Sequence, residues 1–170
     1  MSALDETADK LAIAEQLANY ARAMDRIDLA LGYAVWHPGG TARYGEMFEG
    51  TGREFIDWVC GTHRQMIAHV HRITNILIAL DGDRAASEAY VQATLRFEQD
   101  GVLRQGTAYG RYLDSWSRQD GRWAIDHRDY VQDIDEIVNA GPPLVGAFGG
   151  RRDPDDPSYA VLAGVKPRLD

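Results

Sequence analysis

Three Asp-Gly pairs, Asp81-Gly82, Asp100-Gly101 and Asp120-Gly121, divide the second half of the chain into segments of similar length. Asp-Gly between two extended segments is a strong signal for a tight β-hairpin turn. The pairs follow one another after 19 and 20 residues, and the segments between them are rich in residues that favour strands. The sequence therefore predicts four long strands within residues 67–133, joined as an antiparallel meander.

Two further features refine this meander. Gly106 and Gly110 lie inside the third predicted strand, where glycine marks a bend or a bulge that curves a sheet. After the last strand, residues 133–139 are predicted to form a short helix. A curved sheet has a concave face that other elements can cover.

Two helices are predicted ahead of the strands. Over residues 11–28, apolar residues recur at spacings of three and four, the pattern of an amphipathic helix packed on a core. The Thr51-x-x-Glu54 pattern is a capping box, which predicts a second helix that ends at residue 65 or 66. Between the helices, the cluster His37-Pro38-Gly39-Gly40 predicts an irregular segment. The expected buried stripes are Ile13, Leu17, Tyr20, Ala21 and Met24 in the first helix, and Phe55, Trp58, Val59, Thr62 and Met66 in the second.

Helices followed by a curved meander predict an α+β fold. In such a fold the helices lie across the concave face of the sheet and enclose a pocket.

The composition restricts the class of protein. A chain of 170 residues that is 45% hydrophobic is large enough for one globular domain. Cys60 is the only cysteine, so no internal disulfide is expected. The net charge of −8, without a basic cluster, argues against nucleic acid or an anionic membrane as a partner. The longest apolar run, residues 76–80, is too short to cross a bilayer, and the N-terminal residues do not have the form of a leader, so we expect a cytoplasmic protein.

One acidic residue, Asp25, lies on a row of the first helix that otherwise holds alanine. A partly buried carboxylate needs a partner. His69 and His71 point to the same face of the first strand, and we expect one of them to pair with Asp25. A carboxylate bonded to one imidazole nitrogen fixes the tautomer and raises the basicity of the other nitrogen, which can then take a proton from a substrate. This chemistry needs neither a metal nor a cofactor.

Two alternatives to this pair remain open. Asp25 could flank the helix end together with Arg26 and Asp28. The His-x-His spacing, with Asp25, also suits a metal held by two histidines and one carboxylate, although residues 74 and 75 do not supply the glutamate that a cupin-type site would add after His71. The sequence has no nucleophile elbow, phosphate loop or dinucleotide fingerprint. We therefore predict a site without metal or nucleotide cofactor.

Large aromatic side chains are candidates for the pocket wall. Tyr33, Trp36 and Tyr44 belong to the segment after the first helix, and Trp58 belongs to the second helix. Aromatic residues at such positions either bind a substrate or cover the core. The predicted substrate-binding set is Tyr33, Trp36, Tyr44, Trp58 and His69, which favours a small hydrophobic or aromatic substrate.

Four stretches, in this order and spacing, resemble one known family. They are the helix that ends at residues 20–26 (YARAMDR), the strand at 69–75 (HVHRITN), the Asp-Gly hairpin after it, and the closing segment at 120–128 (DGRWAIDHR). Together they are similar to the SnoaL-like branch of the nuclear transport factor 2-like superfamily, over about residues 8–135. The resemblance implies a cone-shaped α+β barrel. It also implies a cofactor-free lyase, since the branch includes hexachlorocyclohexane dehydrochlorinase, scytalone dehydratase, bile acid 7α-dehydratase and enzymes that act on lignin-derived diaryl compounds.

The resemblance also assigns roles to residues. The catalytic pair would be Asp25 and His71, and Tyr20 matches a tyrosine that accompanies the acid in the dehydratases. Arg128 falls near the place where several relatives carry an arginine that faces the substrate, although the register could put His127 there. A further acid found in some dehydratases is missing from residues 90–94, so Tyr20 or Tyr33 would assist the leaving group.

These observations predict an elimination on a bulky, hydroxylated aromatic substrate, either dehydration or aldehyde-releasing C–C cleavage such as formaldehyde loss from a lignin-type diaryl diol. The alternatives are a non-catalytic ligand-binding module and an isomerase or cyclase on the same fold. Residues 1–140 would form the domain. Residues 141–170, a Gly/Pro-rich tail, would either be disordered or cover the pocket or a neighbouring subunit through Leu144, Val145 and Phe148. The relatives imply a homo-oligomer, with a trimer favoured and a dimer also open, and with Thr107, Tyr109 and Arg111 at the contact.

Overall fold

Helices precede a six-stranded sheet in a computed structural model of the protein, which describes residues 3–141 and 149–164. The predicted tail contacts of Leu144, Val145 and Phe148 lie outside the described residues. No described helix is long and apolar enough to span a membrane. The elements are α1 (Ala3–Arg26), α2 (Leu29–Ala34), β1 (Trp36–Tyr44), β2 (Phe48–Thr51), α3 (Gly52–Gln65), β3 (Ala68–Asp81), β4 (Arg84–Gln99), β5 (Val102–Gln119), β6 (Arg122–Asn139) and α4 (Pro157–Ala163).

The predicted meander is confirmed. Strands β3 to β6 pair antiparallel in sequence order. Asp100-Gly101 and Asp120-Gly121 form the second and third turns, whereas Asp81 ends β3 and pairs with Arg84, so the first turn consists of Gly82 and Asp83. At residues 100–101 and 120–121 both the aspartate and the glycine have positive φ, which is what a type I′ hairpin turn requires. Local turn chemistry thus fixes the register of half the chain.

The secondary structure predicted from the sequence was wrong in two places. Residues 29–50 are not irregular: they form α2, β1 and β2, and β1 pairs parallel with β6, so the sheet is mixed. Pro38 and Gly39 occupy a shift of register between Trp36 and Thr41, where β1 continues past them. Residues 133–139, expected as a helix, continue β6 because β5 offers them a strand partner. In both places tertiary pairing overrides the local signal.

The two predicted helices are present. Helix α1 begins at Ala3, and its buried stripe contains Ala23 instead of Ala21. Helix α3 follows the Thr51 capping box, in which both reciprocal bonds form. Its buried residues are Phe55, Ile56, Cys60 and His63, so the expected places of Trp58, Thr62 and Met66 were wrong. Helix α1 packs on β3 and β6, and α3 packs on β1, which closes the concave side.

The sheet is curved and does not close into a barrel. One cause is the bulge between Tyr109 and Gly110, which confirms one of the two predicted positions. A Cβ at Gly110 would lie 2.3 Å from the Val131 oxygen, so only glycine fits there. At Gly106 the pairing continues without a shift, so no bulge lies there.

A buried ion pair lies at the centre of the core. The Arg128 guanidinium donates from Nε and Nη2 to the two oxygens of Asp114, at 2.6 and 2.8 Å, and both side chains are fully buried. The guanidinium also lies over the rings of Tyr20 and Tyr112, 4.2 and 4.0 Å from their centroids. Ion pairing and ring contacts together compensate for the desolvation of this charge.

The close approach at Gly110 leads to a first prediction. Replacing Gly110 with alanine forces the new methyl group into the backbone of β6, and we expect the free energy of unfolding to fall by about 1–3 kcal/mol. In the control Gly106→Ala, the nearest atom is the Phe97 ring edge at 3.3 Å, a side chain that can move. Urea unfolding measures both variants, and a Gly106→Ala loss as large as that of Gly110→Ala would contradict the assignment.

The ion pair leads to a second prediction. Asp114→Ala leaves the Arg128 charge buried and unpaired, and we expect the free energy of unfolding to fall by about 3–5 kcal/mol. The control is Asp129→Ala, which breaks a pair of the same bidentate geometry between Arg43 and Asp129 at the surface, at 2.7 and 3.0 Å. Solvent screens that pair, so its loss should be far smaller. Similar losses in the two variants would show that burial does not decide the cost.

Candidate active site

Asp25, in the last turn of α1, lies against His71 of β3. Its Oδ1 accepts a hydrogen bond from His71 Nδ1 at 2.8 Å, and the His71 backbone N–H donates to Oδ1 and Oδ2 at 2.9 and 3.1 Å. The side chains are only 13% and 6% exposed. With the Nδ1 proton directed at the carboxylate, Nε2 of His71 has a free lone pair. A nitrogen in this state can accept a proton.

A cavity of about 140 Å³ adjoins His71. Its volume is close to that of a cavity that holds one benzene ring. Most of its wall is aromatic: Tyr44 stacks on Phe55 at 4.2 Å and on Tyr130 at 5.2 Å between ring centroids. The lining residues are Tyr20, Tyr44, Met47, Phe55, Trp58, Val59, His63, His71, Val91, Ala93, Tyr112 and Tyr130.

Two phenols meet in this wall. The Tyr20 and Tyr44 hydroxyls lie 3.2 Å apart, within hydrogen-bond distance. Burial raises the pKa of both phenols above the ordinary value. Both therefore keep their protons at neutral pH, and each remains able to donate a hydrogen bond.

Two more histidines accompany His71. His69 donates from Nε2 to the Met24 carbonyl at 2.9 Å, and burial lowers its pKa. His63 stacks on His69 with 4.3 Å between ring centroids and lies 5.3 Å from the His71 ring. His63 was not predicted from the sequence, although Ile56, Cys60 and His63, at successive spacings of four and three residues, mark the true buried stripe of α3.

The predicted site residues that line a cavity are divided among three cavities, and His69 lines one of about 480 Å³. Tyr20, Tyr44, Trp58 and His71 line the 140 Å³ cavity, with Trp58 40% exposed at its edge. Tyr33 lies elsewhere. It donates to Asp57 and, with Trp36, lines a separate cavity of about 820 Å³.

Arg128 and His127 point to opposite sides of β6. Arg128 is buried behind Tyr20 and Tyr112 and does not line the 140 Å³ cavity. His127 is half-exposed, and its Nδ1 lies 2.7 Å from Thr41 Oγ1. The register left open by the sequence thus places arginine inside and histidine outside.

The arrangement of the acids and histidines also bears on a metal. Within residues 3–141 and 149–164, no three His, Cys, Asp or Glu side chains are placed to hold a metal ion together. Nδ1 of His71 is engaged by Asp25, and Nε2 of His69 is engaged by a backbone carbonyl. The geometry therefore does not support the two-histidine, one-carboxylate alternative.

The described part of the C-terminal segment lies over the ends of α1 and α3. Arg152 Nη1 donates to the carbonyls of His63 and Met66, both at 2.9 Å. Tyr159 donates to Asp28 at 2.9 Å, and Arg26 lies 3.3 Å from Asp156. These contacts fasten the two helix ends that carry Asp25 and His63.

Burial of His63 leads to a pH prediction. Desolvation, with the nearby His71, His69 and Arg152, lowers its pKa to about 3, against about 6.5 in an unfolded chain. Between these values the unfolded chain binds a proton that the folded chain does not, so the free energy of unfolding falls as the pH decreases through this window. The slope reaches about 1.4 kcal/mol per pH unit.

His63→Gln cannot bind this proton. Its unfolding free energy, from urea titrations between about pH 6.5 and pH 4.5, should decrease with a slope that is smaller by about that amount. Parallel pH profiles for the wild type and the variant would contradict the low pKa.

Residues 5–129 match the SnoaL-like domain, and no curated protein matches the sequence. The solved structure of hexachlorocyclohexane dehydrochlorinase from Novosphingobium barchaimii superposes with a TM-score of 0.71 at 16% identity, covering 84% of this chain and 100% of that chain. A scytalone dehydratase-like protein from Novosphingobium aromaticivorans gives 0.69 at 22% identity, covering 84% and 97%. A Mycobacterium tuberculosis protein of unknown function gives 0.66 at 22% identity, covering 96% and 90%.

These structures share with the chain the cone-shaped nuclear transport factor 2-like fold. Because the matched residues make up most of its length, the chain belongs to the SnoaL-like domain family.

Proposed function

We propose that this protein is a cofactor-independent lyase that catalyses an elimination on a hydroxylated aromatic substrate. One observation carries the proposal: the Asp25–His71 hydrogen bond leaves Nε2 as the free nitrogen of a ring that lines an aromatic cavity. In this role His71 is the general base, and Asp25 orients the ring and stabilises the imidazolium that forms.

The groups that surround the cavity can supply each proton transfer that a dehydration requires. In a dehydration, His71 Nε2 takes a proton from carbon, the C–H electron pair forms a double bond, and the C–O bond breaks. The leaving hydroxyl is protonated, directly from the imidazolium or through the Tyr20–Tyr44 pair, and departs as water. The raised pKa of both phenols keeps them in the form that donates.

The same groups suit an aldehyde-releasing cleavage. Here His71 takes the proton of a primary hydroxyl, the neighbouring C–C bond breaks, and formaldehyde leaves. The acceptor of the electron pair is a quinone methide, which forms beforehand when the para-hydroxyl group loses its proton and the benzylic hydroxyl gains a proton and leaves as water. The pair of the broken C–C bond then forms a C=C bond, and the quinone methide oxygen takes up the proton to give a phenol. The substrate of this aldehyde-releasing cleavage would be a lignin-type diaryl diol.

The cavity volume restricts the part of the substrate that reacts. About 140 Å³ accommodates a single six-membered ring and does not accommodate a fused polycyclic skeleton. We therefore propose that one aryl ring enters beside Tyr44 and Phe55, while the remainder of a larger substrate extends past Trp58. The cavity volume thus limits the part of the expected bulky substrate that can enter to one aryl ring.

The family supports the reaction class. The names of two structural neighbours, a dehydrochlorinase and a scytalone dehydratase-like protein, denote elimination enzymes. A non-catalytic binding module on this fold would not need an acid hydrogen-bonded to a cavity histidine, and an isomerase or cyclase would release a product of unchanged mass. Product mass therefore separates the alternatives.

The homo-oligomer remains a prediction, with a trimer favoured over a dimer. Tyr109 is partly exposed on the face of β5 expected to form the contact, whereas Thr107 is buried and Arg111 is paired with Glu88 and Asp133. Sedimentation of the purified protein measures the state directly.

The proposal predicts how three variants behave. A panel of aryl alcohols and diaryl diols is incubated with the protein, and mass spectrometry detects loss of water or formaldehyde. We expect His71→Ala and Asp25→Asn to lower kcat by about 10²–10⁴-fold, because the first removes the base and the second removes the carboxylate that orients it. His127→Ala, a histidine outside the cavity, should retain the wild-type rate.

Circular dichroism melting of the variants separates lost chemistry from lost folding. A folded His71→Ala protein that turns over substrate at the wild-type rate would refute the general-base assignment.

A further inference from the structure

His63 is a buried histidine in the cavity wall that the proposed reaction does not use. The residue is 5% exposed, and it lines the cavity together with His71. Its Nδ1 is fully buried and has no hydrogen-bond partner in residues 3–141 and 149–164. Its ring contacts are with the imidazoles of His69 and His71. A polar ring in this position is costly unless something satisfies it.

The three histidines of the cluster differ in what accepts their ring N–H. A neutral imidazole has one N–H donor and one acceptor. His71 directs its N–H to Asp25, and His69 directs its N–H to the Met24 carbonyl. His63 has no acceptor for its N–H among the described residues. Unpaired buried N–H groups are rarer than unpaired acceptors, so the buried Nδ1 holds the lone pair and Nε2 carries the proton toward the cavity.

We propose that His63 is a substrate-binding residue, whose neutral ring donates a hydrogen bond from Nε2 to the substrate oxygen that gains negative charge as His71 takes the proton. This inference rests on the proposed function and assigns the oxygen-binding group of the same site. For a hydroxylated aromatic ligand that oxygen is the phenolic or the carbonyl oxygen.

The electrostatics of the cluster fit a neutral donor. The ring of His63 is 5.3 Å from that of His71, and two imidazolium ions this close would repel each other. Burial and its neighbours lower the pKa of His63 to about 3, so it does not compete with His71 for the proton. A donor fixed in place where charge develops lowers the barrier without reorganisation.

Arg128, which the resemblance places facing the substrate, does not line the cavity. Its Nε and Nη2 are engaged by Asp114, and its guanidinium lies behind the rings of Tyr20 and Tyr112. His63, in contrast, reaches the cavity surface itself.

Two variants isolate the hydrogen bond from the ring. His63→Phe keeps an aromatic ring to stack on His69 and removes the donor, while His63→Gln keeps a neutral donor. The probes are phenol and toluene, which have similar shapes and differ in the hydroxyl group, and calorimetry measures their Kd. We expect the wild type to prefer phenol, His63→Phe to lose about 5- to 10-fold of that preference, and His63→Gln to restore part of it.

The control is His37→Phe. His37 is also buried, but its Nε2 lies 3.0 Å from the Ser117 carbonyl, and the residue lines the separate 820 Å³ cavity. This variant should keep the wild-type preference for phenol. If His63→Phe also keeps it, the proposal is overturned.

A measurement on the wild-type protein covers the case in which a variant does not fold. The ¹H–¹⁵N signal of His63 Nε2–H should shift when phenol is added and stay in place when toluene is added. An Nε2–H signal that does not respond to phenol overturns the inference.

Turnover separates this inference from the proposed function. With a substrate found in the panel, His63→Phe should lower kcat by about 10²-fold and change KM little, since the bond strengthens as charge develops. Loss of activity in His71→Ala with a wild-type kcat in His63→Phe would overturn only the His63 assignment. A His63-dependent preference for phenol without turnover of any substrate would overturn only the lyase.

Discussion

The carboxylate of Asp25 is held by one residue of β3 through three hydrogen bonds. Strand β3 is an edge of the sheet, and an edge strand has backbone N–H groups without a strand partner. Asp25 accepts from one of these, the N–H of His71, as well as from the ring Nδ1. The interaction therefore fastens α1 to the sheet edge and orients the imidazole at the same time. Folding and the candidate chemistry depend on the same contact.

The remaining polar groups of the concave side are arranged around that contact according to charge. Arg128, the one buried cation among the residues that the structure describes, is neutralised by Asp114 and enclosed by rings. The groups that face the cavity are neutral phenols and imidazoles. In a site of this kind, the charge on His71 is the only one that changes when it takes a proton, and Asp25 is the anion placed to stabilise it. Burial that would be costly for a permanently charged group is tolerated here.

How far the sequence predicts this molecule depends on whether the deciding interaction is local. The Asp-Gly turns at residues 100–101 and 120–121 and the Thr51 capping box are set by residues next to one another, and all appeared where expected. The parallel pairing of β1 with β6 and the continuation of β6 over residues 133–139 depend on strands far away in the chain. Their local sequence, rich in Gly and Pro in one case and in acids in the other, favours other structures.

The candidate site shows the same limit. Periodicity places Asp25 and the two strand histidines on faces that can meet, so the pairing of Asp25 with a histidine can be predicted from the sequence. His63 was missed because its stripe on α3 differs by about one residue from the stripe assigned to Trp58, and a shift that small decides which side chain enters the cavity. Tyr33 illustrates the converse, since an aromatic residue in the right segment lines a different cavity.

Residues outside the matched domain contact the helix ends that carry Asp25 and His63. The match to the SnoaL-like domain ends at residue 129, yet Arg152 bonds the carbonyl of His63 at the end of α3. Arg26, next to Asp25, lies against Asp156 of the same segment. Charged hydrogen bonds to helix-end carbonyls satisfy groups that the helix itself leaves unpaired. The ends of α1 and α3 are thereby tied to one short stretch of chain, so the separation between the base and the donor is set in part by residues that the family pattern does not include.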